Sequence, residues 1–223
     1  MIIVRSSQRV LFRYDRPNVS SSILGGSIRV TTLMACRNAE NQWARDAGEA
    51  TKTITSLPGR NSLNALDLAK LLGVDPRGIE VSGQNAVVTD GSNAVHRTER
   101  IEDAFLFCTS ALENDSFMKR RFGDGCVKIK DPVAFFDLID QELRRALAPR
   151  ALGQCVVDDV EYTVRTNNYR DHTSKHCAFI KPRGGESNFE RELEVRAVWV
   201  PQGFTVVPMP LRIPDVKEML ELL

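Results

Sequence analysis

Apolar and polar side chains alternate most regularly near the end of the chain, between residues 186 and 201. Because side chains of a strand point alternately to its two faces, the pattern predicts a β-strand with two different faces. The mostly apolar face carries Phe189, Arg191, Leu193, Val195 and Ala197. The other face carries Glu190, Glu192, Glu194 and Arg196. Like charges on one face repel, so this face is predicted either to be well solvated or to act on a ligand.

Shorter stretches predict further strands. An alternation that ends at Tyr14 predicts a first strand, which residues 15–18 break with Pro17. A short helical turn, capped by one of the serines at 20–22, follows. The β-branched run over residues 27–33 predicts a second strand, and the apolar run over residues 104–110 predicts a buried one.

Helices are predicted at three places. Residues 132–148 form an amphipathic helix with Asp131 as N-cap and Pro132 at the first helical position. Residues 61–72 carry a broad leucine stripe, so residues 57–76 are a candidate helical insertion. Residues 215–223 predict a short amphipathic helix after a last strand over residues 203–211. Strands mixed with few helices favour one α+β domain over residues 1–223.

The composition is that of a globular protein. Of 223 residues, 42% are hydrophobic, and the net charge of +1 argues against a general electrostatic grip on nucleic acid. No apolar run approaches the roughly 20 residues that span a bilayer, so no membrane partner is expected. Five cysteines without a CxxC pair fit reduced thiols, which predicts a cytoplasmic protein.

A metal site is considered at the two histidines of the polar stretch over residues 167–177. His172 and His176 are four residues apart, a spacing that binds zinc on a helix. The stretch lacks helical periodicity, so we read it as a solvated loop and expect no metal there.

The acidic stretch has two interpretations. Charges on an edge strand prevent edge-to-edge aggregation, and a variant of this interpretation is a cross-strand salt bridge from an arginine to Glu192 or Glu194. In the functional interpretation, one carboxylate stabilises or activates a substrate while the other, two residues earlier, holds the nucleophile.

Four residues of the first two strands are candidate ligand contacts. Arg13 offers a planar guanidinium for phosphate, and Tyr14 offers an aromatic face for a nicotinamide or a base. The hydroxyls of Thr31 and Thr32 could hydrogen-bond a ribose. The structural alternative is an exposed arginine, a buried tyrosine and two good strand formers.

Short motifs over most of the chain resemble a broad family of uncharacterised bacterial proteins. That family has an aromatic-basic-aromatic first strand, an IR-T second strand, an RD-x-x-E segment, a C-x-S strand, and a late lysine followed by E-x-E-x-R. The matching residues are Phe12-Arg13-Tyr14, Ile28-Arg29-Val30-Thr31, Arg45-Asp46 with Glu49, Cys108-Thr109-Ser110, Lys181, and Glu192-Leu193-Glu194-Val195-Arg196.

The order of these features also resembles the ADP-ribosyltransferase fold, an α+β fold of mixed and antiparallel sheets with a few flanking helices. The resemblance implies an enzyme that transfers ADP-ribose from NAD, its substrate, to a macromolecule. It implies that Arg13 lies near the phosphates or ribose of NAD, and that Thr31 or Thr32 contacts the ribose.

The same resemblance assigns the acidic residues. Glu194 would stabilise the positively charged ribose as nicotinamide leaves, and Glu192 would orient the acceptor. Glu190 is a third carboxylate in the row, so which of the three is catalytic stays open. The implied setting is a toxin or phage-defence protein, with protein, RNA or DNA as acceptor and an antitoxin protein as a candidate partner.

Two other functions stay open. A Mg²⁺-dependent nuclease would hold its metal with a set of acidic residues and a lysine. Those residues would be Asp46, Glu49, Glu192, Glu194 and Lys181. A non-enzymatic interaction module would bind its partner through an exposed sheet edge.

Overall fold

The chain divides into two compact units in a computed structural model. The structure describes residues 2–38, 50–56, 80–82, 85–89, 95–101, 103–163, 166–168, 176–183 and 189–223. The first unit comprises Met1–Ala47, Asp103–Val160 and Gly184–Leu223, and the second comprises Gly48–Glu102 and Glu161–Arg183. The single domain expected over residues 1–223 stays a prediction. The candidate insertion at 57–76 lies outside the described residues.

The described elements are mostly strands. They are β1 (Ile2–Val4), β2 (Leu11–Asp15), β3 (Ser27–Thr32), β4 (Thr51–Ser56), β5 (Glu80–Ser82), β6 (Asn85–Thr89), β7 (Val95–Arg100), β8 (Phe105–Ser110), β9 (Gly125–Ile129), β10 (Cys155–Asp159), β11 (Glu161–Thr163), β12 (Thr166–Asn168), β13 (Ile180–Pro182), β14 (Glu194–Trp199), β15 (Met209–Arg212) and β16 (Leu220–Leu222). The helices are α1 (Pro17–Leu24), α2 (Leu33–Arg37), α3 (Ser116–Phe122) and α4 (Pro132–Leu147). Three 3₁₀ segments cover Cys177–Phe179, Phe189–Glu192 and Pro214–Met219. This mixture confirms the predicted α+β class.

A nine-stranded, mostly antiparallel sheet forms the first unit. Its order is β1-β10-β14-β8-β2-β9-β16, and β3 joins β8 to β15. Only the β1–β10 pair is parallel among these described strands. The strand β14 lies in the middle of the sheet, between β10 and β8.

The second unit holds a five-stranded sheet of order β12-β4-β7-β6-β5. The pair β12–β4 is parallel, and the other pairs of this sheet are antiparallel. A separate parallel pair joins β11 and β13.

The apolar core of the first unit lies between α4 and one face of the large sheet. Phe135 and Phe136 of α4 lie with their ring centroids 5.7 and 6.1 Å from the centroid of Phe107 on β8. Trp199 is fully buried at the end of β14, and its Nε1 donates to Asp140 Oδ1 of α4 at 3.1 Å. The aromatic cluster therefore fixes α4 against the central strands.

Several predicted elements are confirmed. The strand β3 lies within the predicted residues 27–33, and β8 lies within residues 104–110. The helix α4 begins at Pro132, and the Asp131 carboxylate accepts a hydrogen bond from the Ala134 N–H at 3.0 Å, so the predicted N-cap is confirmed.

The acidic stretch is not one continuous strand. Phe189–Glu192 form a 3₁₀ turn, Leu193 has a φ of 42°, and only Glu194–Trp199 form a strand. A left-handed residue interrupts the alternation, so the predicted strand is wrong before Glu194. Because β14 is internal to its sheet and all six of its residues are buried, the edge-strand and solvated-face interpretations are also wrong.

Three other boundaries differ from the prediction. The helix α1 begins at Pro17, earlier than the predicted turn, because proline fits the first helical position. The last strand is shorter than predicted and starts at Met209, after Pro208, which has no backbone N–H to donate. The predicted C-terminal helix is confirmed only in its first part, where Pro214–Met219 form a 3₁₀ helix. Leu220–Leu222 form β16 instead, because pairing with the edge of β9 gives hydrogen bonds that the end of a short helix keeps poorly.

Candidate functional site

The central strands present two chemically different faces. The alternate, apolar residues of β14 lie in the core beneath α4, so Glu194 and Arg196 lie on the opposite face. On the neighbouring strand β8, Ser110 lies in register with Glu194 and Cys108 with Arg196. We call this side of the sheet the Glu194 face. At these positions it carries ionisable and polar groups, whereas the alternate residues of β14 on the other side are apolar.

Glu194 and Arg196 form a buried, two-point ion pair. Arg196 Nε donates to Glu194 Oε1 at 2.8 Å, and Nη2 donates to Oε2 at 3.3 Å. The two residues are only 4% and 1% exposed. On β10, the buried Asp158 lies in register with Arg196 on its other side. The rigid fork of the guanidinium holds the carboxylate in one orientation.

The thiol of Cys108 lies beside this ion pair. Burial raises the pKa of the Cys108 thiol well above its usual value, and the negative charge of Glu194 raises it further. The thiol therefore stays protonated at neutral pH. Because the thiolate is the nucleophilic form, Cys108 is not prepared for nucleophilic chemistry.

Glu192 is held by a second buried arginine, on α3. Arg121 Nη2 lies 2.9 Å from Glu192 Oε1, and both side chains are 4% exposed. The Arg121 guanidinium also lies against three aromatic rings, at 5.2 to 5.7 Å from their centroids. These rings belong to Phe117, Phe122 and Phe189. The contacts fasten the 3₁₀ turn Phe189–Glu192 to α3.

The turn between the two glutamates is fixed to the end of β8. Ser110 Oγ donates to the Glu192 carbonyl at 2.6 Å, and the Ala111 N–H donates to the Leu193 carbonyl at 3.0 Å. The Val160 N–H donates to the Glu194 carbonyl at 2.9 Å. Three successive carbonyls therefore have defined partners, and the left-handed backbone of Leu193 is held from both sides.

Arg13 lies on the opposite face from Glu194. Phe12 of β2 pairs with Ser110, and Ser110 lies on the Glu194 face. Arg13 is the next residue of β2, so its side chain points to the other face, toward α4. There its guanidinium lies 5.3 Å from the Phe107 ring centroid. Arg13 and Glu194 were predicted to contact the same NAD molecule, but they lie on opposite faces of the sheet.

Arg13 fills an interruption in the pairing of β8. Along one edge of β8, β3 pairs with its first two residues and β2 pairs with Ser110. Between them, the Cys108 carbonyl accepts a hydrogen bond from Arg13 Nη1 at 2.8 Å, and Arg13 Nη2 contacts Asp15 Oδ2 at 2.9 Å. These contacts give Arg13 a structural role.

Tyr14 and Thr32 are also engaged within the fold. Tyr14 is 4% exposed; its hydroxyl donates to the Leu112 carbonyl at 2.6 Å and accepts from the Asp115 N–H at 2.8 Å. Burial raises the pKa of Tyr14 well above its ordinary value. Thr32 caps α2, its hydroxyl accepting from the Ala35 N–H at 3.1 Å. In this conformation neither residue presents a free surface to a ligand.

Thr31 shares the Glu194 face, as does Tyr14, which the alternation of β2 places on the same side as Phe12. Thr31 pairs with Leu106 of β8, and Leu106 pairs with Val198 of β14, which lies on the same face as Glu194. Thr31 is half-buried, and Arg29, two residues earlier on the same face of β3, is exposed. The Arg29 guanidinium is therefore accessible on the Glu194 face, whereas Arg13 lies on the opposite face.

The structure describes only some of the other predicted site residues. Glu190 is half-buried in the 3₁₀ turn, and Lys181 is buried in β13 of the second unit. Asp46, Glu49 and His172 lie outside the described residues. In the part of the chain that the structure describes, no group of three or more His, Cys, Asp or Glu side chains could hold a metal ion.

The sequence predicted that an arginine across the strands pairs with Glu192 or Glu194; each glutamate does have an arginine partner, but one is Arg196 of the same strand and the other is Arg121 of α3. Arg196 was detectable, because it lies two residues after Glu194 in the same strand. Arg121 was not, since nothing local connects a helix to a turn so much later in the chain.

Comparison with known proteins identifies no relative of this chain. No protein-family model matches the chain, and neither a curated protein nor a solved structure matches it significantly. Among the described residues, no helix has the length and hydropathy needed to cross a bilayer.

Proposed function

We propose that the chain is an ADP-ribosyltransferase that uses NAD as donor, with Glu194 as its catalytic carboxylate. The observation that carries the proposal is the buried Glu194 on the central strand β14, held by two donors of Arg196. A carboxylate that is oriented in advance in a poorly solvated place is suited to oppose positive charge that develops during a reaction.

ADP-ribosyl transfer is a reaction of that kind. The bond between ribose C1′ and nicotinamide breaks, the electron pair stays with nicotinamide, and an acceptor atom bonds to C1′ and loses a proton. Positive charge develops on the ribose in between. Glu194 would lower the energy of that charge, and Arg196 would keep the carboxylate in place.

The other residues take revised roles in this proposal. Thr31 and Arg29 lie on the Glu194 face, half-buried and exposed respectively, so they fit contacts to the ribose and the diphosphate. Arg13 does not fit a contact to the same substrate, because it points to the α4 side. Glu192, bound to Arg121, fits a positioning residue that holds the turn before Glu194.

The first test is transfer of labelled ADP-ribose. The protein is incubated with labelled NAD and, separately, with total cellular protein, RNA and DNA. Wild type is compared with Glu194→Gln, Glu194→Asp and the matched control Glu113→Gln, whose side chain is 62% exposed. We expect label on one pool, a loss of about 100-fold in both Glu194 variants, and no loss in the control.

Thermal melts of the same samples separate catalysis from folding. A Glu194 variant that remains folded and labels as well as wild type would refute the catalytic assignment. Absence of label together with absence of NAD binding by calorimetry would refute the function itself. The labelled pool would identify the macromolecular acceptor, on which the predicted toxin or phage-defence setting and an antitoxin partner depend.

A further inference from the structure

Leu193 combines three properties that rarely occur together. It is a branched apolar residue in the left-handed backbone region, with φ of 42°. It is 49% exposed, although its neighbours Glu192 and Glu194 are 3% and 4% exposed. A left-handed position is usually taken by glycine or asparagine, because a side chain there meets the following carbonyl. The turn thus bears a strained backbone and leaves a large apolar side chain in solvent.

A second position shows the ordinary solution in the same unit. Asn114 has φ of 46° and is also exposed, and its short polar side chain tolerates that backbone. Leu193 lacks this explanation. Strained residues persist only where the surroundings fix them, and they cluster at functional sites. Here the hydrogen bonds from Ser110 and Ala111 supply that fixation.

We propose that Leu193 is a substrate-contact residue, whose side chain packs against the nicotinamide ring of NAD beside Glu194. This inference rests on the proposed function. The strained turn leaves an apolar side chain 49% exposed at the residue directly before the buried Glu194, so a flat ring bound there would gain apolar contact next to the residue that opposes the developing charge. Contact with the ring would bury the exposed half of the leucine.

The test uses glycine and asparagine, which relieve the strain and remove the contact. We compare Leu193→Gly and Leu193→Asn with wild type and with the matched control Asn114→Gly. A contact residue predicts a KM for NAD about tenfold higher in both Leu193 variants, from the lost apolar burial. Their melting temperatures should not fall below that of wild type, because the backbone strain is gone. The control should keep its KM.

A second readout does not require turnover. Leucine methyl groups are labelled with ¹³C, the Leu193 signals are assigned by their absence in Leu193→Gly, and N-methylnicotinamide cation is added. We expect the Leu193 methyl signals to shift.

The outcomes separate the two proposals. If wild type consumes NAD and both Leu193 variants keep their KM within twofold, the contact is refuted and the function stands. If wild type does not consume NAD but the methyl signals shift, the function is refuted and the contact stands. If neither turnover nor a shift is seen, both are refuted.

Discussion

Removing Arg196 while keeping Glu194 tests the central ion pair most directly. Arg196 is 1% exposed and donates to both oxygens of a carboxylate that is 4% exposed. The substitution Arg196→Met keeps much of the volume and removes the charge, so Glu194 would remain buried without its bidentate partner. Breaking a buried pair in this way costs about 3–5 kcal/mol. For a chain of this size the melting temperature should fall by about 6–20 °C.

The double variant supplies the matched control. In Glu194→Met with Arg196→Met both charges are gone, and replacing a buried ion pair by apolar residues is often neutral or stabilising. We therefore expect the double variant to be clearly more stable than Arg196→Met alone, measured by urea unfolding of all four members of the cycle. A cost below about 1 kcal/mol for Arg196→Met would refute the reasoning, since that is the value of an exposed pair.

Three further predictions concern the surroundings of the site. Arg121→Met should release the turn that contains Glu192, which a lower melting temperature and faster proteolysis near residue 190 would show. Tyr14→Phe should cost about 1 kcal/mol, because the part-buried Leu112 carbonyl and Asp115 N–H lose their partner, yet leave the KM for NAD unchanged. Burial raises the pKa of the Cys155 thiol in the folded protein well above its ordinary 9.0. As the pH rises above about 9, the unfolded chain therefore loses this proton before the folded protein does, and the free energy of unfolding should decline. The substitution Cys155→Ser should make that decline less steep.

The elements that the sequence predicted well are those with local signals. The N-cap Asp131 and Pro132 mark the start of α4, and both act within the first turn. The strands β3 and β8 are rich in β-branched or apolar residues over their whole length. In these cases the residues that decide the structure lie next to one another in the chain.

The candidate site was harder, because its decisive facts are not local. A single left-handed residue, Leu193, cancels the alternation that placed three glutamates on one face. The face on which Arg13 lies depends on the register of β2 against β8, which an isolated sequence does not reveal. The partner of Glu192 is an arginine from a different helix. The sequence therefore indicates which residue types these strands carry, but not how the fold arranges them.

The buried charges themselves favour a functional reading over a structural one. The side chains of Glu192 and Glu194, with Arg121 and Arg196, are buried in the first unit, and replacing a buried ion pair by apolar residues of similar volume is often neutral or stabilising. If the double methionine variant proves as stable as wild type, the pair of Glu194 and Arg196 contributes nothing to the fold that methionine cannot replace. The presence of a buried carboxylate at this position would then need an explanation other than stability. The proposed transfer of ADP-ribose would be lost in that variant, while the fold would remain. Equal stability with lost NAD turnover would thus separate the two explanations in one protein.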